Sequence, residues 1–392
     1  MGLCVLSALT PGETQESVPR HLDKLQSNPA PALVLVFASP VHSLAAVMES
    51  TARRFPDAIC LGATTAGELT EQGDAKGALS GLAVSGDLRV FAGIGTGLST
   101  SPETAVRQAL SGVPETVEGF PHRTAVMLLD PLTGRGEEAT LLAATELGPN
   151  VPLVGGAAGD DLAMASTQVA LGAQAASDAV VMAVLFSKQR LGIGVGHGHT
   201  PLSAPLRVTK ADGNVVFEID DRPAWEVWVE QTRAAALADG IDPEALPADA
   251  VGGYLLRYEA GLATGREHTI RAPLSRGDDG SLSFACGIHQ GAELVITRST
   301  AEAQLRSARL AARRARESLD GAPVAGAVVF DCICRNLILQ DDFSAAVRGM
   351  SEELGSVPLA GFETYGEIAL GQGDLSGFHN TTTVVLAFPA EP

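Results

Sequence analysis

No run of apolar residues in this sequence approaches the ~18 needed to cross a bilayer as a helix. The longest, such as Val180 to Phe186, have the length of a strand. The stretch Met1 to Pro11 has neither the basic segment nor the small-residue cleavage site of a secretory leader. Position six is Leu6, where a myristoylation pattern needs Ser or Thr. No membrane partner is expected, and a cytoplasmic location is. Cysteine is scarce and odd in number: Cys4, Cys60, Cys286, Cys332 and Cys334. That argues against a disulfide framework. Cys332 and Cys334 form a C-x-C read as part of a strand, which would turn both thiols to one face. Their Cα atoms would then stand ~6.5 Å apart, near the upper limit for a bridge, so both are expected reduced. As a zinc site the pair lacks a second pair of ligands, and no metal is expected. Positive charge is also short, with 27 Lys and Arg against 46 Asp and Glu for a net charge of −19. Such a surface repels nucleic acid. The nucleophile elbow, the Walker loop and H-E-x-x-H are all missing, so no catalytic residue announces itself.

What is present is a large apolar share, 45% of 392 residues, with 19% charged. That composition supports a substantial core and excludes disorder. A pattern occurs three times. Leu33 to Ala38, Thr124 to Asp130 and Ala325 to Asp331 are strand-length apolar runs. Each is followed by a helical spacing: His42 to Phe55, Gly136 to Leu147, Phe343 to Leu354. In the third, Phe343, Val347, Met350 and Leu354 fall on one helix face. A second short apolar stretch and a glycine-rich turn come next. The turns read G-A-T-T-A-G-E-L from Gly62, V-P-L-V-G-G-A-A-G-D-D-L from Val151 and V-P-L-A-G-F-E-T-Y-G-E-I from Val357, the second one residue shorter. Paired β-like runs follow, Gly77 to Val84 with Leu88 to Gly95 and Ala179 to Phe186 with Leu191 to Gly196, and are read as hairpins. The unit is strand, helix, strand, glycine turn, hairpin. The expected fold is α/β to α+β, with mixed or antiparallel sheets covered by helices in αββα-like layers. A change of texture at Thr200 to Arg207 suggests domains at 1–200 and 201–392.

The candidate site residues lie on the turns and the last strands. Thr65, Glu68, Asp160, Gly366 and Glu367 sit on the glycine turns. Glycine lets backbone approach a ligand, and a carboxylate in each turn suits a cationic or amino group better than phosphate. The competing reading is a tight turn whose acid satisfies nearby amides. Arg335, past the end of a strand, can clamp a carboxylate with two parallel bonds. With Tyr365 and Glu367 it would line a cavity for a zwitterion, with His379 and Asn380 nearby. His379 is also a candidate base or haem ligand. His197 and His199, two apart in G-H-G-H-T, supply only two ligands for a metal. The helix Ala301 to Leu319 carries an arginine stripe, Arg306, Arg309, Arg313 and Arg316, which is either a solvated face or a dock for an acidic partner.

Several of these blocks resemble the FIST family. V-P-L-V-G-G-A-A-G-D-D followed by V-T-K-A-D-G-N-V-V-F-E-I-D looks like the junction of the FIST N and FIST C domains. V-V-F-D-C-I-C-R, G-F-E-T-Y-G-E-I and F-H-N-T-T-T look like the end of FIST C. The resemblance implies an intracellular sensory module for a small ligand, an amino acid or similar metabolite. It also admits a subclass that binds haem and reports nitric oxide to a histidine kinase. With no room here for an output domain, the signal would pass to a separate partner. The other reading is an enzyme, a hydrolase or transferase, using Cys332 or His379.

Overall fold

Each of the three repeated units is built in the computed structural model, which describes residues 2–12, 17–264, 267–371 and 377–391. The first unit runs β1 (Cys4–Pro11), α1 (Ser17–Lys24), β2 (Pro31–Ala38), α2 (Leu44–Arg54), β3 (Ile59–Thr64), a short hairpin β4 (Glu68–Thr70) and β5 (Gly73–Ala75), then β6 (Ala78–Ser85). The second repeats that order: β7 (Leu88–Thr96), α3 (Pro102–Leu110), β8 (His122–Leu129), α4 (Gly136–Leu147), β9 (Leu153–Ala157), β10 (Val169–Leu171), β11 (Gln174–Ala176), β12 (Ala179–Ser187). The third opens with β13 (Gly192–His197) and is then interrupted. The inserted segment holds β14 (His199–Pro201), β15 (Leu206–Asp212), β16 (Val215–Ile219), β17 (Arg222–Pro223), α5 (Ala224–Ala238), α6 (Val251–Leu255), β18 (Tyr258–Thr264), β19 (Glu267–Arg271), β20 (Pro273–Arg276), β21 (Leu282–Phe284) and β22 (Glu293–Ser299). The third unit then resumes as α7 (Ala301–Glu317), β23 (Val324–Cys332), α8 (Ile333–Leu339), α9 (Phe343–Leu354), β24 (Leu359–Thr364), β25 (Glu367–Leu370), β26 (Phe378–His379) and β27 (Thr382–Pro389).

Local chemistry explains the helices. Ser43 caps α2 by accepting from the Ala46 amide, and Leu44, Val47, Met48 and Thr51 form its buried face. Thr300 caps α7 in the same way through Ala303. The Ala308, Ala311, Ala312 and Ala315 stripe of α7 lies directly on β13. A methyl group at Gly194 would stand 1.9 Å from the Ala311 carbonyl oxygen, so only glycine admits the helix that close.

The units exchange their hairpins in a cycle. The first sheet has order β1-β6-β2-β3-β10-β11, the second β26-β25-β9-β8-β12-β7 and the third β13-β27-β23-β24-β4-β5. Each therefore ends in a hairpin donated by another unit. One pair per sheet is parallel, β2 with β3, β8 with β9 and β23 with β24; the rest of the pairing is antiparallel. This is the expected mixed-sheet α+β fold. The helix-covered layering recurs three times around one core. Inner faces supply Leu35 and Phe37, Val126 and Val181, and Phe330 and Phe362 to one cluster. The rings of Phe37 and Phe362 lie 4.5 Å apart. Helices cover the three outer faces. The insertion closes its own core around Trp228, Tyr254, Tyr258 and Phe284. Burying each such side chain contributes about 1.5–3 kcal/mol.

Two local expectations are corrected. The long runs at 78–85 and 88–96 are not hairpin partners, nor are those at 179–187 and 192–197. The unit boundary falls between the members of each pair, so β6 completes one sheet and β7 opens the next. β23 ends at Cys332 and α8 begins at Ile333, so the C-x-C turns a corner instead of lying along one strand face; all five thiols are free. The arginine stripe of α7 stays exposed, as a solvated face does, with Arg309 paired to Glu352 at 2.5 Å and Arg313 to Glu353 at 3.0 Å, both on α9.

Candidate ligand site where three turns meet

The parallel strands of each unit end at the same edge of their sheet, and the glycine turns that leave them meet there. They bond one another in a ring. Ala66 N–H donates to Glu363 O and Glu363 N–H to Gly67 O, joining the first turn to the third. Ala157 N–H donates to Gly366 O and Tyr365 N–H to Ala157 O, joining the third to the second. Gly159 N–H donates to Thr64 O and Asp161 N–H to Thr65 O, closing the ring. Glycine is required by this approach. A methyl group on Gly159 would stand 2.8 Å from the Ala66 nitrogen. Gly67 has φ +152°, and its missing Cβ leaves room for the Glu363 carboxyl.

The turn acids are buried beside this ring. Glu68 accepts from the Thr65 hydroxyl and from Ala78 N–H at 2.9 Å. Glu367 accepts from the Thr364 hydroxyl at 2.5 Å and from Thr382 N–H at 3.1 Å. Each acid thus ties its turn to the start of the unit's last strand. Asp160 stands at the matching place in sequence but works differently. It accepts from the Tyr365 hydroxyl at 2.6 Å and from Met164, Ala165 and Ser166 N–H. The shortened second turn displaces it, and Asp130 takes over the tie. Asp130 accepts from Thr167 at 2.5 Å and from Asp178 N–H at 2.6 Å. Nothing local in the sequence marked Asp130; only superposing the units reveals it.

Burial pushes the Glu68 carboxyl up to about 8, and pushes Glu259, Glu363 and Glu367 well above the usual range. Burial therefore favours the protonated form of each. Burial also raises Asp160, but the Tyr365 hydroxyl and three amides outweigh it and hold that carboxylate below its usual value. Among the described residues two buried acid oxygens accept no hydrogen bond, Oε2 of Glu363 and Oε2 of Glu259. Glu363 is otherwise held by Asn336 at 2.7 Å, and Glu259 by Thr381 at 2.8 Å. The inserted segment brings Glu259 (β18) and His199 (β14) against the third unit. There His199 Nε2 stands 3.5 Å from Glu259 Oε2, and Cys332 lies close enough to Glu367 to help raise its carboxyl, after burial. The sequence reading missed Glu259 and Glu363. Their one signal is an acid inside an apolar strand, Y-E-A-G-L-A and A-G-F-E-T.

Arg335 is brought to this region but not to Glu367. Its guanidinium is fully buried and bonds Asp331 at 2.6 Å, Ser307 at 2.8 Å, the Gln304 carbonyl at 3.1 Å and the Gln304 side chain. His379 is half-buried with Nε2 3.1 Å from Ala369 O, and Asn380 accepts from Ala272 N–H at 3.3 Å. Gly366 backs onto Phe378, whose ring would stand 2.3 Å from an added Cβ. Cys332 is 2% exposed and burial raises its thiol well above the ordinary range, a setting that disfavours the reactive thiolate. Among the described residues no group of three His, Cys, Asp or Glu is placed to hold a metal ion. Among the described residues no helix is long and apolar enough to cross a membrane.

Residues 32–222 match the family model described as the FIST N domain, and residues 224–370 the model described as the FIST C domain. An uncharacterized protein of Methanocaldococcus jannaschii is 28% identical over 167 residues, 40% of this chain and 31% of that protein. An uncharacterized protein of Mycobacterium tuberculosis is 28% identical over 188 residues, 47% of this chain and 48% of that one. The chain spans less than half the length of these relatives. Among solved structures, a cyanuric acid hydrolase from A. caulinodans aligns over 99% of both chains at 8% identity and a TM-score of 0.32, a likeness too slight to transfer fold or activity.

Proposed function

The chain belongs to the FIST family, and from that premise we propose that it is a small-ligand-binding sensory protein whose ligand carries an amino or other cationic group. An amino acid or a similar metabolite has that chemistry, and the signal passes to a separate signalling protein such as a histidine kinase. The observation that carries this reading is the ring of three mutually bonded turns with buried acids beside it whose protonated form burial favours, two of them with an oxygen that accepts no hydrogen bond from a described residue. Neutral acids attract no ion until a cation arrives. An ammonium would ionise one of them, and the resulting charge-assisted bond is about twice as strong as a neutral one. Binding then releases a proton.

The Nε2 of His379, the histidine singled out as a haem ligand, faces the Ala369 backbone carbonyl at 3.1 Å, which argues against that role for it. A thermal-shift screen of amino acids and amines tests the proposal, since a ligand stabilises by RT ln(1 + [L]/Kd). Glu363→Gln, which removes one of the two acids with an unanswered oxygen, is expected to weaken the best amine by roughly 1–3 kcal/mol. Calorimetry in two buffers of different ionisation enthalpy should register the released proton. A screen in which no amine stabilises the protein, or binding without proton release, refutes the reading.

A further inference from the structure

At the opposite edge of the second sheet from the turns, the N-terminal ends of β8 and β9 open onto a groove of about 300 Å³. His122, Arg123, Asn150 and Arg190 line it. Arg190 is exposed, Arg123 is half-exposed, and neither forms an ion pair with a described residue. Some exposed arginines are answered, Arg107 by Glu103 and Glu146 and Arg314 by Glu267, and others, such as Arg207 and Arg348, form no ion pair with a described residue; what marks this corner is that two such arginines share one groove. Partial burial and then Arg190 lower the His122 pKa, opposed by Asp320. The groove therefore gathers cationic groups that repel one another.

The fold does not need these charges. His122 sits opposite Ser187 at the strand end. The matching positions in the other units are Pro31 opposite Ser85 and Val324 opposite Pro389. The residues that follow there are alanines, Ala32 and Ala325, which drop out of register at irregularities, whereas Arg123 stays paired with Phe186. Three equivalent corners thus exist, and only the second carries cations. A packing requirement would act on all three.

We propose that this groove binds the phosphate group of a small phosphorylated metabolite, at a site separate from that of the turns. Two guanidinium forks match the several oxygens of a dianion, which a single carboxylate could not satisfy. His122 and Asn150 flank them with further donors, and the volume is that of a small-molecule site. The test is calorimetric titration of the intact protein with inorganic phosphate, glycerol phosphate and acetate. Both phosphates are expected to bind at millimolar or lower concentration, and acetate much more weakly. The double variant Arg123→Gln with Arg190→Gln should weaken phosphate by about tenfold or more, near the worth of one charge-assisted pair. Arg20→Gln, an exposed arginine on α1, should change nothing, and circular dichroism should show both variants folded. The proposal is overturned if phosphate gives no binding heat, if acetate matches it, if the double variant binds undiminished, or if Arg20→Gln costs as much.

Discussion

Replacing Arg335 by Met should cost the protein a large share of its stability, and more of it at high pH. The guanidinium is wholly buried and satisfies Asp331, Gln304 and Ser307 together. Methionine fills much of the volume but answers none of them. Breaking a buried ion pair from one side costs about 3–5 kcal/mol, because the remaining charge is left without compensation. Domains hold a net ~5–15 kcal/mol, so the variant stays folded but visibly weaker. Burial already pushes the Asp331 carboxyl above its usual value, while Arg335 pulls the other way. Without Arg335 the folded value rises further, and the unfolded value stays near 3.9. The folded variant then binds a proton that the unfolded chain releases. Its stability is fully present below about pH 4 and falls as pH rises through the raised value. Urea unfolding followed by circular dichroism at pH 5 and pH 8 should show a larger deficit, relative to wild type, at pH 8. Adding Asp331→Asn should recover part of the loss and remove the extra slope. A loss under about 1 kcal/mol, or an equal deficit at both pH values, would show that Arg335 is not held by this pair.

Glu68→Gln should flatten the pH dependence of stability. The folded acid titrates at about 8 because of burial, so wild type loses stability between the unfolded value near 4.5 and about 8 and the variant should not; denaturant midpoints across that range decide. Gly194→Ala should lower stability by about 1–3 kcal/mol, since α7 must lift off β13 to admit the methyl group; an unchanged thermal midpoint would contradict the close approach. In a thiol-reagent titration of the native protein, exposed Cys4 should react quickly. Buried Cys60, Cys286 and Cys332 should react only after denaturant is added, because burial raises all three, the first two to about 11.

The units were legible because their signals are local. Leu33 to Ala38 announces a strand, Phe343 to Leu354 a helix face, and Gly67-Glu68 and Gly366-Glu367 a turn, each within a few residues. Strand pairing was not legible. Nothing near Glu68 says that its strand belongs beside Phe362, and the runs on either side of Gly86 look like a hairpin until one sees that they face different sheets. The turn residues were found, and they do meet, but their partners are set by backbone bonds between units that leave no side-chain pattern. Arg335 shows the same limit from another side. Its charge marked it as a ligand clamp, while the structure gives it Asp331, four residues earlier across the corner from strand to helix. Glu259 lies in the interrupting segment, far in sequence from the turns it approaches, so no repeat comparison could have pointed to it.

The cyclic loan of hairpins sets a timetable for synthesis. β4 leaves the ribosome early, but its place is beside β24, with Thr70 against Ala360. At about 5–20 residues per second, the early hairpin waits about 15–60 s for that partner. Meanwhile the first sheet closes its open edge with β10 and β11, and the second must wait for β25 before β9 is covered. A nascent chain therefore carries exposed strand edges until β24 and β25 have been made, the condition under which unpaired strands recruit one another. Separating the chain between its two family segments reproduces that state permanently. A fragment ending near residue 222 retains β4 and β9 but lacks β24 and β25, which cover their other edges, so the two halves should recover their fold only when expressed together.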